Sequence, residues 1–82
     1  MTLNLNSPGW ENPFKATLID LTETSLYIRT KEYLTVGMKV ILGNHERELC
    51  FQISAVHQPM SQNYSYTLSP LENIDTKLVR KI

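Results

Sequence analysis

The chain has 82 residues, of which 41% are hydrophobic and 20% charged, so it can build one small core and a single globular domain. Eight basic residues balance eight acidic ones. A net charge of zero argues against a general nucleic-acid binder, which needs a basic surplus to displace counterions from phosphate. At this size folding buries about 60 to 65% of the surface of the extended chain, so a homo-oligomer or a partner could add stability.

Cysteine and histidine content limits the chemistry that we expect. The single cysteine, Cys50, excludes an intramolecular disulfide, and two histidines give no Cys/His set at zinc spacing. We therefore expect no metal, no cofactor and a reducing, cytoplasmic setting. The first residues lack a basic start and an apolar run, and no stretch approaches the ~20 apolar residues of a membrane span. The sequence predicts neither export nor membrane insertion.

Residues 1–13 predict an irregular N-terminal arm. They hold two of the four prolines, one of the three glycines and little periodicity. The aromatic side chains of Trp10 and Phe14 could pack this arm against the rest of the chain. From residue 14 to residue 82 we expect one domain.

Alternation of apolar and polar residues predicts five or six antiparallel strands in this domain. The clearest strand begins at Glu48, where Leu49, Phe51 and Ile53 alternate with polar neighbours, and we expect these three side chains to face the interior. It should pair antiparallel with a strand at 64–69. The other predicted strands cover 15–20, 25–30 and 38–42.

After the last strand the apolar spacing changes to three or four residues, which predicts a C-terminal helix. Ser69 is suited to the N-cap, Pro70 to the first helical position, and Glu72 stands three residues after the cap. The helix should cover one end of a barrel, with Leu78 the most buried residue of its apolar stripe. That stripe consists of Leu71, Ile74, Leu78 and Ile82.

Two stretches carry a resemblance to a known family. Thr17 to Ile28 reads TLIDLTETSLYI and Leu34 to Leu42 reads LTVGMKVIL, and together they resemble the PilZ domain. In that family a strand ends in an Asp/Asn-x-Ser-x-x-Gly turn, an aliphatic strand follows, and a glycine-containing segment opens the next strand. Ile53 to His57 is similar to the family's long "xxAxVhxh" strand. The resemblance covers residues 14–82 and implies a six-stranded antiparallel Greek-key barrel with a C-terminal helix.

The same resemblance implies a ligand site and a change in it. Asp20, Thr22 and Ser25 stand at the Asp, Ser and Gly positions of the turn, and Arg29 follows on the next strand. Family members that bind cyclic di-GMP also use an Arg-x-x-x-Arg segment before the first strand. This chain has no arginine before Arg29, and residues 9–15, which stand at that position, offer Lys15 as their only cation. Two guanidinium groups grip phosphate and stack on guanine, which one lysine does not reproduce.

Three functions follow from these observations, and none of them is enzymatic. The first is a bacterial-type regulatory or adaptor module that recognises a protein partner, with cyclic di-GMP binding weak or lost. The second is a cyclic di-GMP receptor with a non-standard site. The third is a small OB- or SH3-like barrel that binds single-stranded nucleic acid through Tyr27, Arg29, Tyr64 and Tyr66, although core packing explains Tyr64 and Tyr66 better than base stacking does.

Overall fold

The structure is a computed structural model that describes residues 1–43, 47–60 and 62–81. Its strands form one closed antiparallel barrel. They are β1 (Thr2–Asn6), β2 (Phe14–Leu21), β3 (Leu26–Thr30), β4 (Lys39–Gly43), β5 (Glu48–Met60) and β6 (Asn63–Pro70). A short 3₁₀ helix, Thr76–Lys81, follows β6.

The strands follow one another around the barrel in the order β1, β2, β3, β6, β5, β4. The fourth strand therefore lies beside the first of three consecutive antiparallel strands, which is the Greek-key arrangement. Closure between β1 and β4 rests on a short ladder that pairs Leu5 with Leu42 and Asn6 with Ile41. Next to it, the Ser7 hydroxyl donates a 2.8 Å hydrogen bond to the Lys39 carbonyl oxygen. The predicted mainly-β barrel is confirmed.

The period-two alternation places the core as the sequence predicts. Leu49, Phe51 and Ile53 face the interior with exposed fractions of 4%, 0% and 0%. β5 pairs antiparallel with β6, in a register that joins Ile53 to Leu68. The pairing register of β5 with β6 shifts between Ile53 and Ala55, and Val56 lies on the exposed side of β5.

The prediction of an irregular arm over residues 1–13 is wrong for Thr2–Asn6, which forms β1. This strand pairs with β2 along its length, from Thr2 opposite Thr17 to Leu5 opposite Phe14. Leu3 and Leu5 are buried while their polar neighbours are exposed, which is the alternation of a half-buried strand. Trp10 packs against Phe14, with their ring centroids 5.2 Å apart, so the expected aromatic contact is present.

The predicted C-terminal helix is also wrong, because β6 continues through its proposed start. Pro70 ends β6 opposite Phe51, and the Leu71 amide donates a 3.0 Å hydrogen bond to the Cys50 carbonyl oxygen. Sheet pairing on β5 therefore outcompetes the local capping signal at Ser69. Leu71, the first residue of the predicted stripe, is exposed.

The only helical turn after β6 in the described residues is the 3₁₀ helix, and it buries a different face. Thr76 and Val79 are buried at 1% and 0% exposure, whereas Leu78, expected to be the most buried, is only half-buried. Three residues per turn put Thr76 and Val79 on one side. The Thr76 hydroxyl donates to the Thr22 carbonyl oxygen and so ties this helix to the segment between β2 and β3. Ile82 lies outside the described residues.

We expect Phe51→Ala to destabilise the barrel strongly. Phe51 is fully buried, and removing a buried aromatic ring costs about 3 to 5 kcal/mol in transfer and cavity terms. Chemical denaturation of the wild-type and variant proteins measures this loss. Gln52→Ala on the exposed side of the same strand is the control, and a loss below about 1 kcal/mol for Phe51→Ala would contradict the core assignment.

Candidate functional site

Two of the four predicted ligand residues, Thr22 and Ser25, lie in the turn between β2 and β3, and a third, Asp20, lies near the end of β2. Their polar groups make hydrogen bonds within this segment. The Thr22 hydroxyl oxygen accepts hydrogen bonds from the Ser25 amide at 3.0 Å and the Thr24 amide at 3.3 Å. One carboxylate oxygen of Asp20 accepts a 2.8 Å bond from the Leu21 amide. These local bonds are typical of a side chain that stabilises a turn. Much of the hydrogen-bonding capacity of this turn is therefore already used by its own backbone.

Arg29, the fourth predicted ligand residue, lies away from that turn. The β2–β3 register pairs Arg29 with Thr17, whereas Asp20 pairs with Tyr27, closer to the turn. Arg29 lines one surface pocket and Thr22 lines another. The β2–β3 hairpin thus brings Asp20, Thr22 and Ser25 close together and places Arg29 farther along the ladder.

The pocket at Arg29 gathers three cations, Lys15, Arg29 and Lys31, which we call the cationic face. The pocket encloses about 460 Å³, and all three side chains are exposed. Within the described residues none of the three makes an ion pair. Glu32 is the one carboxylate residue in the lining, so the pocket carries an excess of positive charge in a chain with no net charge.

The barrel itself produces this clustering. Arg29 is directly opposite Thr17 on β2. The Thr30 hydroxyl donates a 2.8 Å hydrogen bond to the Lys15 carbonyl oxygen, so the end of β3, which Lys31 follows directly, lies beside Lys15. Like charges that line one pocket repel one another. An anionic ligand would relieve the repulsion. Arg29 and Lys31 are two residues apart in the sequence, and the pairing of β2 with β3 brings Lys15 to them.

A second pocket lies between the β2–β3 turn and the 3₁₀ helix. It encloses about 400 Å³, and Thr22, Glu23, Lys77 and Arg80 are among the residues that line it. The bond from Thr76 to Thr22 holds the two walls together. The C-terminal segment thus brings Lys77 and Arg80 to the β2–β3 turn, which we call the motif turn, into a pocket that Glu23 also lines.

Tyr66 anchors the connection between β3 and β4. Its ring is buried at 1% exposure, and its hydroxyl donates a 2.9 Å bond to the Glu32 carbonyl oxygen and accepts a 2.7 Å bond from the Leu34 amide. Desolvation by burial raises the pKa of Tyr66 above the ordinary tyrosine value. Tyr64 lies between Tyr66 and Tyr33, with ring centroids 6.3 Å and 5.7 Å away. The three rings thus form a row of ring–ring contacts.

Cys50 and His57 have different neighbours and do not contact each other. Cys50 is half-buried and pairs with Ile41 across the β4–β5 ladder. The His57 Nε2 atom lies 2.7 Å from the Thr67 hydroxyl oxygen, a neighbour on β6. The described residues contain no group of three or more His, Cys, Asp or Glu side chains able to hold a metal ion. The described part of the chain also has no helix long and apolar enough to cross a membrane.

Comparisons with protein-family models, with curated proteins and with solved structures found no match to this chain. The function proposed below therefore rests on the geometry of the surface and on the sequence itself. Two features stand out there, the cationic face on β2 and β3 and the smaller pocket at the motif turn.

We expect Tyr66→Phe to lower the free energy of unfolding by about 1 to 3 kcal/mol, because the buried Leu34 amide loses its hydrogen-bond acceptor. Thermal or chemical denaturation near neutral pH measures this effect. An equal loss in Tyr33→Phe, which alters an exposed ring, would contradict a specific role for the Tyr66 hydroxyl.

Tyr66 should also contribute to alkaline unfolding. Because its pKa is raised in the folded state, its contribution to stability is complete below the unfolded value of 10.0 and is lost as pH rises through the folded pKa. Tyr66→Phe should therefore show a shallower loss of stability above about pH 10 than the wild-type protein. Parallel curves for the two proteins in that range would contradict this assignment.

Proposed function

We propose that this barrel is a non-catalytic, PilZ-like regulatory or adaptor module that recognises an acidic surface of a protein partner through its cationic face. The observation that carries the proposal is the cluster of Lys15, Arg29 and Lys31, which has no ion pair within the described residues. A bacterial signalling role and cyclic di-GMP binding that is weak or lost belong to the same proposal and rest on the sequence resemblance. A cytoplasmic setting also belongs to it and rests on the single cysteine.

Charge complementarity explains how such a face would select its partner. Exposed charges of one sign speed association with an oppositely charged surface and disfavour partners of like charge. All three cations are exposed, so salt should screen their effect strongly. An adaptor needs a presented surface rather than reacting groups, and the cationic face meets that requirement on paired strands.

The second candidate function is a cyclic di-GMP receptor with a non-standard site. The observation in its favour is the pocket at the motif turn, where Lys77 and Arg80 supply cations that the N-terminal arm lacks. Against it stand the internal bonds of the Thr22 hydroxyl and the presence of Glu23 in the same lining. One lysine and one arginine beside a carboxylate offer less than the paired guanidinium groups of the family's arm.

Nucleic-acid binding through the tyrosines is the least supported alternative. Base stacking needs an accessible ring face, but Tyr66 is 1% exposed and both hydrogen bonds of its hydroxyl are internal. Tyr64 packs between two other rings. Of the four residues proposed for that function, only Tyr27 and Arg29 remain available.

Charge reversal tests the adaptor proposal. We expect a variant with Lys15, Arg29 and Lys31 all replaced by Glu to lose binding to a glutamate-rich peptide. It should also fail to capture the proteins that the wild-type chain retains from cells of its source, as identified by mass spectrometry. The matched control replaces three cations outside the cationic face, Lys39, Lys77 and Arg80, with Glu. Equal losses in both variants, with both folded by circular dichroism, would contradict the proposal.

Calorimetric titration with cyclic di-GMP separates the first two functions. Loss of two charge-assisted contacts should weaken binding by about two to four orders of magnitude, so we expect no measurable heat at micromolar ligand. Binding with a dissociation constant below about 10 μM would instead establish a receptor with a rebuilt site, provided that Arg80→Ala abolishes the binding and Lys39→Ala does not.

A further inference from the structure

The pocket that contains the cationic face is lined by many side chains able to donate hydrogen bonds. Besides its three cations it contains the hydroxyls of Thr2 and Thr17 and the amide group of Asn63. Within the described residues none of these three polar side chains makes a hydrogen bond. A ligand in this pocket would therefore meet up to six side chains able to donate, and Glu32 is the only carboxylate beside them.

Strand pairing holds several of these donors in fixed positions. Thr2 is opposite Thr17, and Thr17 is opposite Arg29, so three outward-facing side chains form one row across β1, β2 and β3. Lys15, two residues before Thr17, and Lys31, two residues after Arg29, line the same pocket. Neighbouring strands are ~4.8 Å apart, so the row brings a guanidinium group and two hydroxyls within reach of one small anion.

The number and type of these donors fit a phosphate group better than a carboxylate. A phosphorylated side chain carries a charge of about −1.5 to −2 and three acceptor oxygens, each able to take more than one hydrogen bond. A carboxylate carries one charge, and a single bidentate arginine satisfies much of its capacity. Three cations around one carboxylate would leave an excess of positive charge, whereas a phosphate dianion balances more of it.

We infer that the cationic face is a phosphate-binding site for a phosphorylated serine or threonine of the partner protein, with Arg29 providing the guanidinium fork and Lys15 and Lys31 the remaining charge. This inference rests on the proposed function, because it names the chemistry by which the same face recognises its partner. The site is distinct from the turn at Asp20, Thr22 and Ser25, which lies toward the other end of the β2–β3 ladder.

Two peptides test the inference. They have the same sequence and a fluorescent label, and they differ at one central position, which is phosphoserine in the first and glutamate in the second. We expect fluorescence anisotropy to give about tenfold tighter binding of the phosphoserine peptide to the full chain. Addition of inorganic phosphate should compete with the phosphoserine peptide, since it carries the same group.

A charge-preserving variant then tests the role of Arg29. Arg29→Lys keeps the charge but loses the bidentate fork, so we expect its preference for the phosphoserine peptide to fall about fivefold or more. The matched control is Arg80→Lys, an exposed arginine outside the cationic face, which should keep the wild-type preference. Unchanged thermal melting of both variants establishes that they remain folded.

The outcomes separate this inference from the proposed function. If both peptides bind equally and the charge-reversed variant binds neither, the phosphate inference is overturned while acidic-partner recognition stands. If neither peptide binds the wild-type chain, the cationic face is not an anion site and both are overturned. A phosphoserine preference that survives unchanged in Arg29→Lys would overturn the assignment of Arg29 as the phosphate-gripping residue.

Discussion

Two hydrogen bonds of the Tyr66 hydroxyl fix the path by which the chain crosses from one half of the barrel to the other. The crossing segment leaves β3 after Thr30, and Tyr66 holds it at the Glu32 carbonyl and the Leu34 amide. Leu34 is buried at 1% exposure as a result. The crossing has to be fixed for β4 to reach β1 and close the Greek key. It also orders the residues after β3, where Lys31 completes the cationic face.

Strand alternation was enough to predict most of the barrel, because a half-buried strand has a period of two whatever its neighbours are. β1 was missed although Leu3 and Leu5 alternate with polar residues, since five residues among prolines and glycine are a weak signal until a partner strand supplies pairing. The prediction of a C-terminal helix was wrong for the opposite reason. Its capping residues were plausible locally, but pairing of Pro70 with Phe51 on β5 kept the chain in the sheet.

The site was less predictable than the fold. Local spacing predicted a turn after Asp20, and the turn lies at Thr22, whose hydroxyl oxygen accepts bonds from nearby amides. The cationic face depends on cross-strand register, which a single sequence does not encode in any short pattern. Lys15 and Lys31 are sixteen positions apart in the sequence, and only the pairing of Thr17 with Arg29 brings them together. The short motif in the sequence therefore indicates the turn and not the cationic face.

The central claim is that recognition takes place on the cationic face and not at the motif turn. The most direct measurement is a titration of the isotope-labelled chain with a glutamate-rich peptide, followed by backbone amide chemical shifts. We predict that the largest shifts lie at residues 15–17 and 29–31, and that added salt reduces them because the cations are exposed. Shifts concentrated at residues 20–25 and 76–80 would contradict the account and place recognition at the motif turn.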